Sequence, residues 1–458
     1  MKNYSLKPTG ENVLELLRTN SIGRLQYVLR FLTLLSHMED DCYSIALNGD
    51  WGSGKTFFIK QVKLILDTYN PISQLPEETR EEVKKLEKKD FSYPANYTTV
   101  YYDAWANDSH VDPILSLIYA TINSNQSDYT VDRQRNIGNA AAAVADAVTG
   151  RDTSNALKAL RGTDQLAPIK EKESIKELVK EFLDALINEH GDRLVIFIDE
   201  LDRCKPDYAL SLMERIKHFF DDERVTFVFS ANLPQLQHTV KSYYGSEFDA
   251  TRYLDKFFDI QMEIPHVSYD NFLTVQLGLP TQLLSDEVCI ETAKYFRFSL
   301  REMERYVRLY KIVRKALANI RTGFATQNGN AFSAMYFAPI MLGLQMSDMT
   351  SYKKFISGKD CGPLLEILLS PNVGINTTLL CNQNEEFIES QNMFKSSHGI
   401  AVSLEDRLKE VYNAIFKNSR GSGYREIKIG QLSLSENTRN TITEITSLLS
   451  PNSDYEFK

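Results

Sequence analysis

Cysteine is scarce in this sequence, and no two cysteines lie at a short spacing. Only five occur in 458 residues, and none has the C-x-x-C or C-x-x-H spacing that zinc sites use. They are Cys42, Cys204, Cys289, Cys361 and Cys381. The pattern argues against a zinc site and a disulfide framework, so we expect a protein of the reducing cytoplasm.

Long hydrophobic runs are also missing. The longest weakly polar segment, residues 331–344, contains Pro339 and is shorter than the roughly 20 residues that a membrane-spanning helix needs. The first residues lack the charged, apolar and small-residue order of a secretion signal. We therefore expect no membrane attachment and interpret residues 331–344 as a buried helix.

The sequence also lacks an excess of positive charge. The formal net charge is -9 and the isoelectric point is near 5.5, so a nucleic-acid contact would need a local basic patch or a partner subunit. The charge balance therefore disfavours direct nucleic-acid binding and leaves a local patch as the alternative. The hydrophobic content of 43% and charged content of 25% are those of a globular protein.

Five short apolar segments alternate with helical segments. The predicted strands are residues 43–47, 98–103, 194–198, 225–230 and 260–264, and the predicted helices among them include 55–69, 174–189 and 208–220. A helix with an apolar stripe at spacings of three and four is predicted within residues 21–37. Strands that alternate with helices indicate a doubly wound α/β domain with a parallel sheet.

The chain is too long for one hydrophobic core, so we expect two domains. Residues 1–265 are interpreted as the α/β domain, with a helical insertion at about 104–190 that includes the Ala-rich stretch 136–160. After Pro265 the strand pattern stops and helical periodicity continues. Residues 266–458 are therefore expected to form an all-helical lid and C-terminal domain.

Residues 49–56 follow the pattern G-x-x-x-x-G-K-[ST] between a predicted strand and a predicted helix. They are Gly49, Asp50, Trp51, Gly52, Ser53, Gly54, Lys55 and Thr56. In such a loop the backbone N–H groups surround phosphate oxygens, the lysine reaches the β and γ phosphates, and the threonine hydroxyl ligates Mg²⁺. The context predicts a nucleotide-phosphate site rather than an ordinary glycine-rich turn.

A second acidic motif follows the predicted strand 194–198. Asp199 would hold the metal ion, and Glu200 would accept a proton from the water that attacks the γ phosphate. Two carboxylates at a strand end can also form a solvated turn, but the preceding phosphate loop favours the catalytic interpretation. Asn232 follows the next strand, at the position from which a polar side chain can orient this water. The alternative is that Asn232 only forms a turn before Pro234.

Taken together, the sequence resembles the KAP family of P-loop NTPases, an additional-strand group related to AAA+ and STAND proteins. The resemblance rests on GDWGSGKT at residues 49–56, YYDAW at 101–105, FIDELDRCKP at 197–206 and YLDKFFD at 253–259. It covers residues from about 20 to 310. It implies the sheet order 5-1-4-3-2 and an ATP site completed by a neighbouring subunit, hence a homo-oligomer.

The same resemblance suggests further residues for the site. Arg301 is similar to the lid arginine of AAA+ relatives, which reaches the γ phosphate, although it can also simply begin a solvated helix. Arg252 and Lys256 lie where these relatives carry an arginine finger, and arginine suits that role better because of its planar, permanently charged group. A structural salt bridge is the alternative for this position.

The sequence is compatible with three functions. The first is an Mg²⁺-dependent ATPase switch acting with a trigger or effector protein, in a setting such as the phage defence associated with bacterial KAP proteins. The second is a scaffold that binds ATP without hydrolysis. The third is a nucleic-acid motor or loader, which the acidic balance disfavours. No guanine-reading NKxD motif is present, and only the family resemblance favours ATP over GTP.

Overall fold

The computed structural model describes ten ranges of the chain and divides it into two compact units. The ranges are residues 7–38, 42–86, 96–110, 112–125, 131–149, 167–279, 283–323, 328–396, 401–417 and 426–447. The first unit comprises Lys7–Val267, and the second begins at Ser268. Part of the Ala-rich stretch, residues 150–160, lies outside the described ranges.

The first unit is built on a five-stranded parallel sheet. Its strands are β1 Tyr43–Asn48, β2 Tyr97–Asp103, β3 Arg193–Asp199, β4 Val225–Ala231 and β5 Ile260–Glu263. Their order is β2-β3-β4-β1-β5, and every neighbouring pair is parallel. This confirms the predicted fold class and the strand order 5-1-4-3-2.

Helices cover both faces of this sheet. They are α1 Gly10–Thr19, α2 Leu25–Ser36, α3 Lys55–Tyr69, α4 Glu77–Lys84, α5 Pro113–Asn125, α6 Val131–Thr149, α7 Ala167–His190, α8 Pro206–Phe219, α9 Leu233–Tyr244 and α10 Ala250–Leu254. Short 3₁₀ turns occupy Trp105–Asn107 and Leu201–Arg203. The first four helices contribute to the core on one face, and α5 to α10 contribute to the core on the other.

Strand β3 explains why the central segments are apolar throughout. Every residue of β3 is buried, with Val195 and Phe197 in one core and Ile196 and Ile198 in the other. Successive side chains point to opposite faces of a sheet, so the middle of a strand covered on both faces is apolar at successive positions, and the polar residues Arg193 and Asp199 lie at the two ends of β3. The same burial holds along β4.

Helix α1 was not predicted from the sequence. It begins after Thr9, whose side chain accepts a hydrogen bond from the backbone N–H of Asn12. Val13, Leu16 and Leu17 form its buried face. This spacing of three and four is the same signal that predicts α2, but the stripe of α1 holds only three apolar residues and is easily missed.

The second unit is rich in helices. After Tyr269–Asn271 and a π turn at Phe272–Gln276, the longer ones are α11 Leu284–Tyr295, α12 Leu300–Gly323, α13 Asn328–Ser347, α14 Met349–Ile356, α15 Gly362–Leu368, α16 Leu404–Phe416 and α17 Glu436–Ser447. Short 3₁₀ turns lie at Thr377–Leu380 and Glu389–Gln391. The expected helical character of this region is confirmed.

Two small antiparallel sheets correct the expectation of a purely helical unit. One contains β6 Glu385–Ile388, β7 Met393–Ser396 and β8 Ala401–Ser403, and the other pairs β9 Ile427–Ile429 with β10 Leu432–Leu434. Each strand has three or four residues. Alternation over so few residues is too short to be distinguished from helical periodicity.

Helix α13 contains the apolar segment 331–344 and runs through Pro339. It is buried along almost its whole length, in agreement with the prediction of a buried helix. Its Gly343 packs closely on α11, because a Cβ atom there would lie 2.4 Å from the Thr292 Cγ2 atom. Across the described ranges, no helix is long and apolar enough to cross a membrane.

Replacement of Phe227 by Ala should destabilise the first unit strongly. Phe227 is 0% exposed and contacts the rings of Phe220 and Phe229, with centroids 5.6 and 6.2 Å away. Loss of a buried phenyl ring costs about 3–5 kcal/mol. We expect a lower thermal unfolding midpoint, measured by circular dichroism. The control is Tyr119→Ala on α5, which removes a ring that is 63% exposed, and equal shifts in both variants would contradict the packing described here.

Candidate nucleotide-binding site

At two positions of the loop between β1 and α3, the backbone has a conformation that only glycine adopts easily. Gly52 and Gly54 have φ angles of 78° and 91°, in the left-handed region that side chains with a Cβ atom disfavour. Gly49 serves a different purpose, because a Cβ atom there would lie 2.4 Å from Ile264 Cγ2 and 3.0 Å from Ser53 Oγ. The loop therefore closes tightly beside the end of β5.

Lys55 is buried within this loop. Its residue is 9% exposed, and its Nζ donates hydrogen bonds to the carbonyl oxygens of Gly49 at 2.6 Å and Asp50 at 3.2 Å. Burial lowers the pKa of the Lys55 ammonium group, and the nearby carboxylates, Asp202 first, act in the opposite direction. The ammonium group therefore lies against the backbone of the loop that would bind phosphate oxygens.

The Asp199 carboxylate is the centre of the site. Asp199 is 1% exposed; its Oδ2 accepts hydrogen bonds from Thr56 Oγ1 at 2.6 Å and Tyr101 OH at 3.0 Å. Its Oδ1 accepts from Ser230 Oγ at 2.7 Å and from the Glu200 backbone N–H at 3.0 Å. The carboxyl ends of β2, β3 and β4 and the start of α3 thus meet on one side chain.

Glu200 follows Asp199 in an unusual conformation. Its φ angle is 61°, which few residues other than glycine adopt and which often marks functional sites. Its carboxylate forms an ion pair with the guanidinium Nε of Arg203. Burial, and then the neighbouring Asp199, raise the pKa of Glu200 to about 7.

Two tryptophan side chains contact the turn that follows Glu200. Trp51 of the phosphate loop donates its indole N–H to Asp202 Oδ2 at 2.6 Å, and the Arg203 guanidinium lies 5.5 Å from the centroid of the Trp105 ring. Trp51 is 50% exposed and Trp105 is 52% exposed. The turn therefore connects the phosphate loop with the segment that follows β2.

Asn232 caps helix α9. Its Oδ1 accepts a hydrogen bond from the Gln235 backbone N–H at 3.1 Å, while its Nδ2 lies 3.4 Å from Asp50 Oδ1. The side chain from the end of β4 that contacts Asp199 is instead that of Ser230. The cap explains an asparagine at this position, and a role of Asn232 in orienting water stays a prediction.

The three predicted cationic residues are exposed. Arg252 in α10 has a side chain that is 88% exposed and lies 4.0 Å from the Asp249 carboxylate. Lys256, just beyond α10, is also exposed. Arg301 is exposed at the start of α12, in the second unit. Their roles toward the nucleotide stay predictions.

Five further residues of the site have no role that their local sequence pattern predicts: Tyr101, Ser230, Asp202, Arg203 and Trp105. Four of them lie within motifs that support the family resemblance, at residues 101–105 and 197–206. Ser230 could have been found from strand register, because it lies directly opposite Asp199 in the β3–β4 pair. Pairing partners of this kind follow only once the strand order and register are known.

The residues present fit a nucleoside triphosphate with Mg²⁺. Ser53 Oγ is buried and has no hydrogen-bond partner, and glycine-rich loops of this type offer backbone N–H groups to phosphate oxygens. The hydroxyl of Thr56 and the carboxylate of Asp199 are hard oxygen donors of the kind that Mg²⁺ prefers. Within the described ranges, no group of three His, Cys, Asp or Glu residues could hold a metal ion.

The parallel sheet, the phosphate loop on its first strand and the buried carboxylate on β3 define a P-loop nucleoside triphosphatase domain. Residues 24–317 match the description "KAP family P-loop domain". The match covers more than half of the chain, which therefore belongs to the KAP family. The family resemblance is confirmed.

Two individual proteins are also similar to parts or all of the chain. A segment of 56 residues is 43% identical to uncharacterized protein MJ0182 of Methanocaldococcus jannaschii and covers 11% of this chain and 29% of that protein. The ORC2 protein of Aeropyrum pernix, solved in ADPNP–ADP complexes, is 10% identical, with a TM-score of 0.31 over 93% of each chain. This second likeness is too distant to carry an argument.

Replacement of Gly49 by Ala should weaken nucleotide binding, because the new methyl group would overlap Ile264 and open the loop. We expect at least a ~10-fold loss of affinity, equal to about 1.4 kcal/mol, in a titration with a fluorescent ATP analogue. Gly138→Ala in α6 is the control, since a Cβ atom there meets nothing within 4 Å. Unchanged affinity in the Gly49 variant would show that this close approach does not shape the loop.

Proposed function

We propose that this chain binds Mg²⁺-ATP in the loop 49–56, hydrolyses it with Glu200 as general base, and uses the cycle as a conformational or assembly switch. The observation that carries the proposal is the hydrogen-bonded Asp199 carboxylate, which joins Thr56 of the phosphate loop to the strand that presents Glu200. A carboxylate is buried only where donors surround it, and one held in this way beside a phosphate loop is typical of a functional site.

Each residue of the loop has a distinct task in this proposal. The backbone N–H groups and the unpartnered Ser53 hydroxyl would bind phosphate oxygens, and Lys55 would exchange its carbonyl partners for the β and γ phosphates. Thr56 and Asp199 would hold Mg²⁺, directly or through water. When bound, the ion would neutralise phosphate charge and help to orient the γ phosphate for attack.

Glu200 would accept the proton of the attacking water. Its partial burial raises its pKa to about 7, and a base works best when its pKa lies near the operating pH. Asn232 would orient the same water from the neighbouring strand, since its amide lies at the edge of the phosphate loop. Glu200 is therefore the residue on which hydrolysis depends most directly.

The switch would require a second copy of the chain and a partner. Arg252 is the stronger finger candidate, with Lys256 as the alternative, because an exposed cation can enter a neighbouring nucleotide site. Arg301 would couple the nucleotide to the helical unit. The trigger or effector protein is unidentified, and a defence setting is an analogy with bacterial KAP proteins.

Lys55→Ala and Glu200→Gln should separate binding from hydrolysis. Loss of the Lys55 charge should weaken ATP binding roughly 10-fold to 100-fold, the cost of a charge-assisted hydrogen bond. The Glu200 variant should bind ATP normally and lose about 10²-fold to 10⁴-fold in turnover, because an amide cannot act as the base. Phosphate release and equilibrium binding measure the two effects. Normal turnover in the Glu200 variant would remove it from the catalytic role.

Mixing of two inactive proteins should reveal whether Arg252 acts across an interface. An Arg252→Ala subunit has an intact nucleotide site but no finger, whereas a Lys55→Ala subunit supplies the finger to its neighbour. Turnover in the mixture above that of either protein alone is the expected result, measured in an oligomer verified by light scattering. The same mixture with Lys55→Ala/Arg252→Ala is the control, and a lack of rescue in a mixed oligomer would exclude Arg252.

A further inference from the structure

We propose that Arg203 restrains Glu200 in a resting state of the site, and that hydrolysis requires Arg203 to leave both Glu200 and its platform on Trp105. The proposal rests on the proposed function of Glu200 as the base. It assigns a positioning role to a residue that does not itself contact the reacting atoms.

The first support is the ion pair between Arg203 and Glu200. The pair joins residues three apart across the 3₁₀ turn, and the side chains are only 24% and 21% exposed. The Glu200 Oε2 atom in this contact is itself buried and accepts no hydrogen bond, so the ion pair with Arg203 is what compensates its charge. Solvent therefore screens the pair less than it screens a surface salt bridge, and this oxygen is occupied by a cation that cannot accept a proton.

The second support is the platform beneath Arg203. The turn that carries Trp105 is fixed by Asp103, whose Oδ1 accepts a hydrogen bond from the Ala106 backbone N–H at 2.9 Å. The guanidinium lies 5.5 Å from the indole centroid, within the distance of a cation–π interaction. Trp105 is half exposed, so packing of its own ring does not explain why an indole is placed here.

A hydrogen bond between the phosphate loop and the turn Leu201–Arg203 could release Arg203 from Glu200 when a nucleotide binds. Trp51 lies within the loop and donates to Asp202 Oδ2 at 2.6 Å, and Asp202 immediately precedes Arg203. Phosphate binding that rearranges the loop would therefore act directly on the turn Leu201–Arg203. The left-handed φ angle of 61° at Glu200 is a conformation that surrounding contacts must hold in place, so loss of a contact in this turn would act on Glu200.

A restraint and a permanent support make opposite predictions for the loss of Arg203. A general base must offer its oxygen to the attacking water, and Arg203 occupies the Oε2 atom. If the arginine restrains Glu200, its removal raises turnover. If it serves to aim the carboxylate at the water, its removal lowers turnover.

The test is the turnover of Arg203→Ala with Mg²⁺-ATP. We expect kcat to rise roughly 10-fold to 100-fold with little change in KM, the range for loss of one charge-assisted contact. The added activity should vanish in Arg203→Ala/Glu200→Gln, which shows that it passes through Glu200. Arg203→Lys keeps the charge without the planar group and should lie between the wild-type protein and Arg203→Ala. A fall in kcat for Arg203→Ala would overturn the restraint.

Arg215→Ala is the matched control. Arg215 lies in α8 and forms an ion pair with Asp112 at 2.7 Å. Its loss removes an arginine and an ion pair of the same unit without touching Glu200, so kcat should stay at the wild-type value. An equal rise in kcat for both arginine variants would trace the effect to general loosening and overturn the proposal.

Tryptophan fluorescence gives a measurement that does not need hydrolysis. The chain has two tryptophans, so the emission lost in Trp105→Phe identifies the contribution of Trp105. A non-hydrolysable ATP analogue with Mg²⁺ should increase acrylamide quenching of Trp105 in the wild-type protein but not in Arg203→Ala. Binding of the analogue is measured separately.

The outcomes distinguish failure of the Arg203 restraint from failure of the proposed ATP binding and hydrolysis. An analogue that binds without changing Trp105 overturns the restraint and leaves the proposed nucleotide site intact. Absence of any binding overturns the proposed function, and the restraint with it. Binding without turnover in every variant, Arg203→Ala included, removes Glu200 as the base and overturns the restraint with it.

Discussion

The carboxylate of Asp199 lies almost fully buried at the point where three parallel strands end, and a charge in that position is costly unless several donors surround it. Three hydroxyl groups and one backbone N–H supply those donors, from Thr56, Tyr101, Ser230 and Glu200. Because the donors come from α3, β2, β4 and the segment after β3, their geometry depends on correct assembly of the whole sheet. The site and the sheet are therefore stabilised together.

The order of the strands serves this arrangement. Strand β3 lies between β2 and β4, and Asp199 pairs with Asp103 on one side and Ser230 on the other. Strand β1 lies beyond β4 and delivers the phosphate loop to the same edge, where Ile264 after β5 packs against Gly49. Ligands of open α/β sheets bind at the carboxyl ends of the strands, next to the point where the strand order reverses. Here that edge carries the loop, the buried carboxylate and Glu200.

Membership of the KAP family identifies the domain, and the structure adds the contacts around Glu200. The two tryptophans flank the turn Leu201–Arg203, one through a hydrogen bond to Asp202 and the other beneath Arg203. Half-exposed indoles at a nucleotide site are unlike the buried aromatic residues of the two cores. They connect the turn both to the phosphate loop and to the segment after β2.

The sequence by itself determined the phosphate loop, the acidic pair Asp199–Glu200, the five-stranded sheet and the helical character of the second unit, because each has a local signature in spacing or periodicity. It did not reveal α1 or the short strands after Glu385, whose patterns are too brief. Only the tertiary structure brought Tyr101 and Ser230 to Asp199 and Arg203 between Glu200 and Trp105. Most of these contacts join residues far apart in the chain, so they are fixed by strand register and packing, which no local pattern contains.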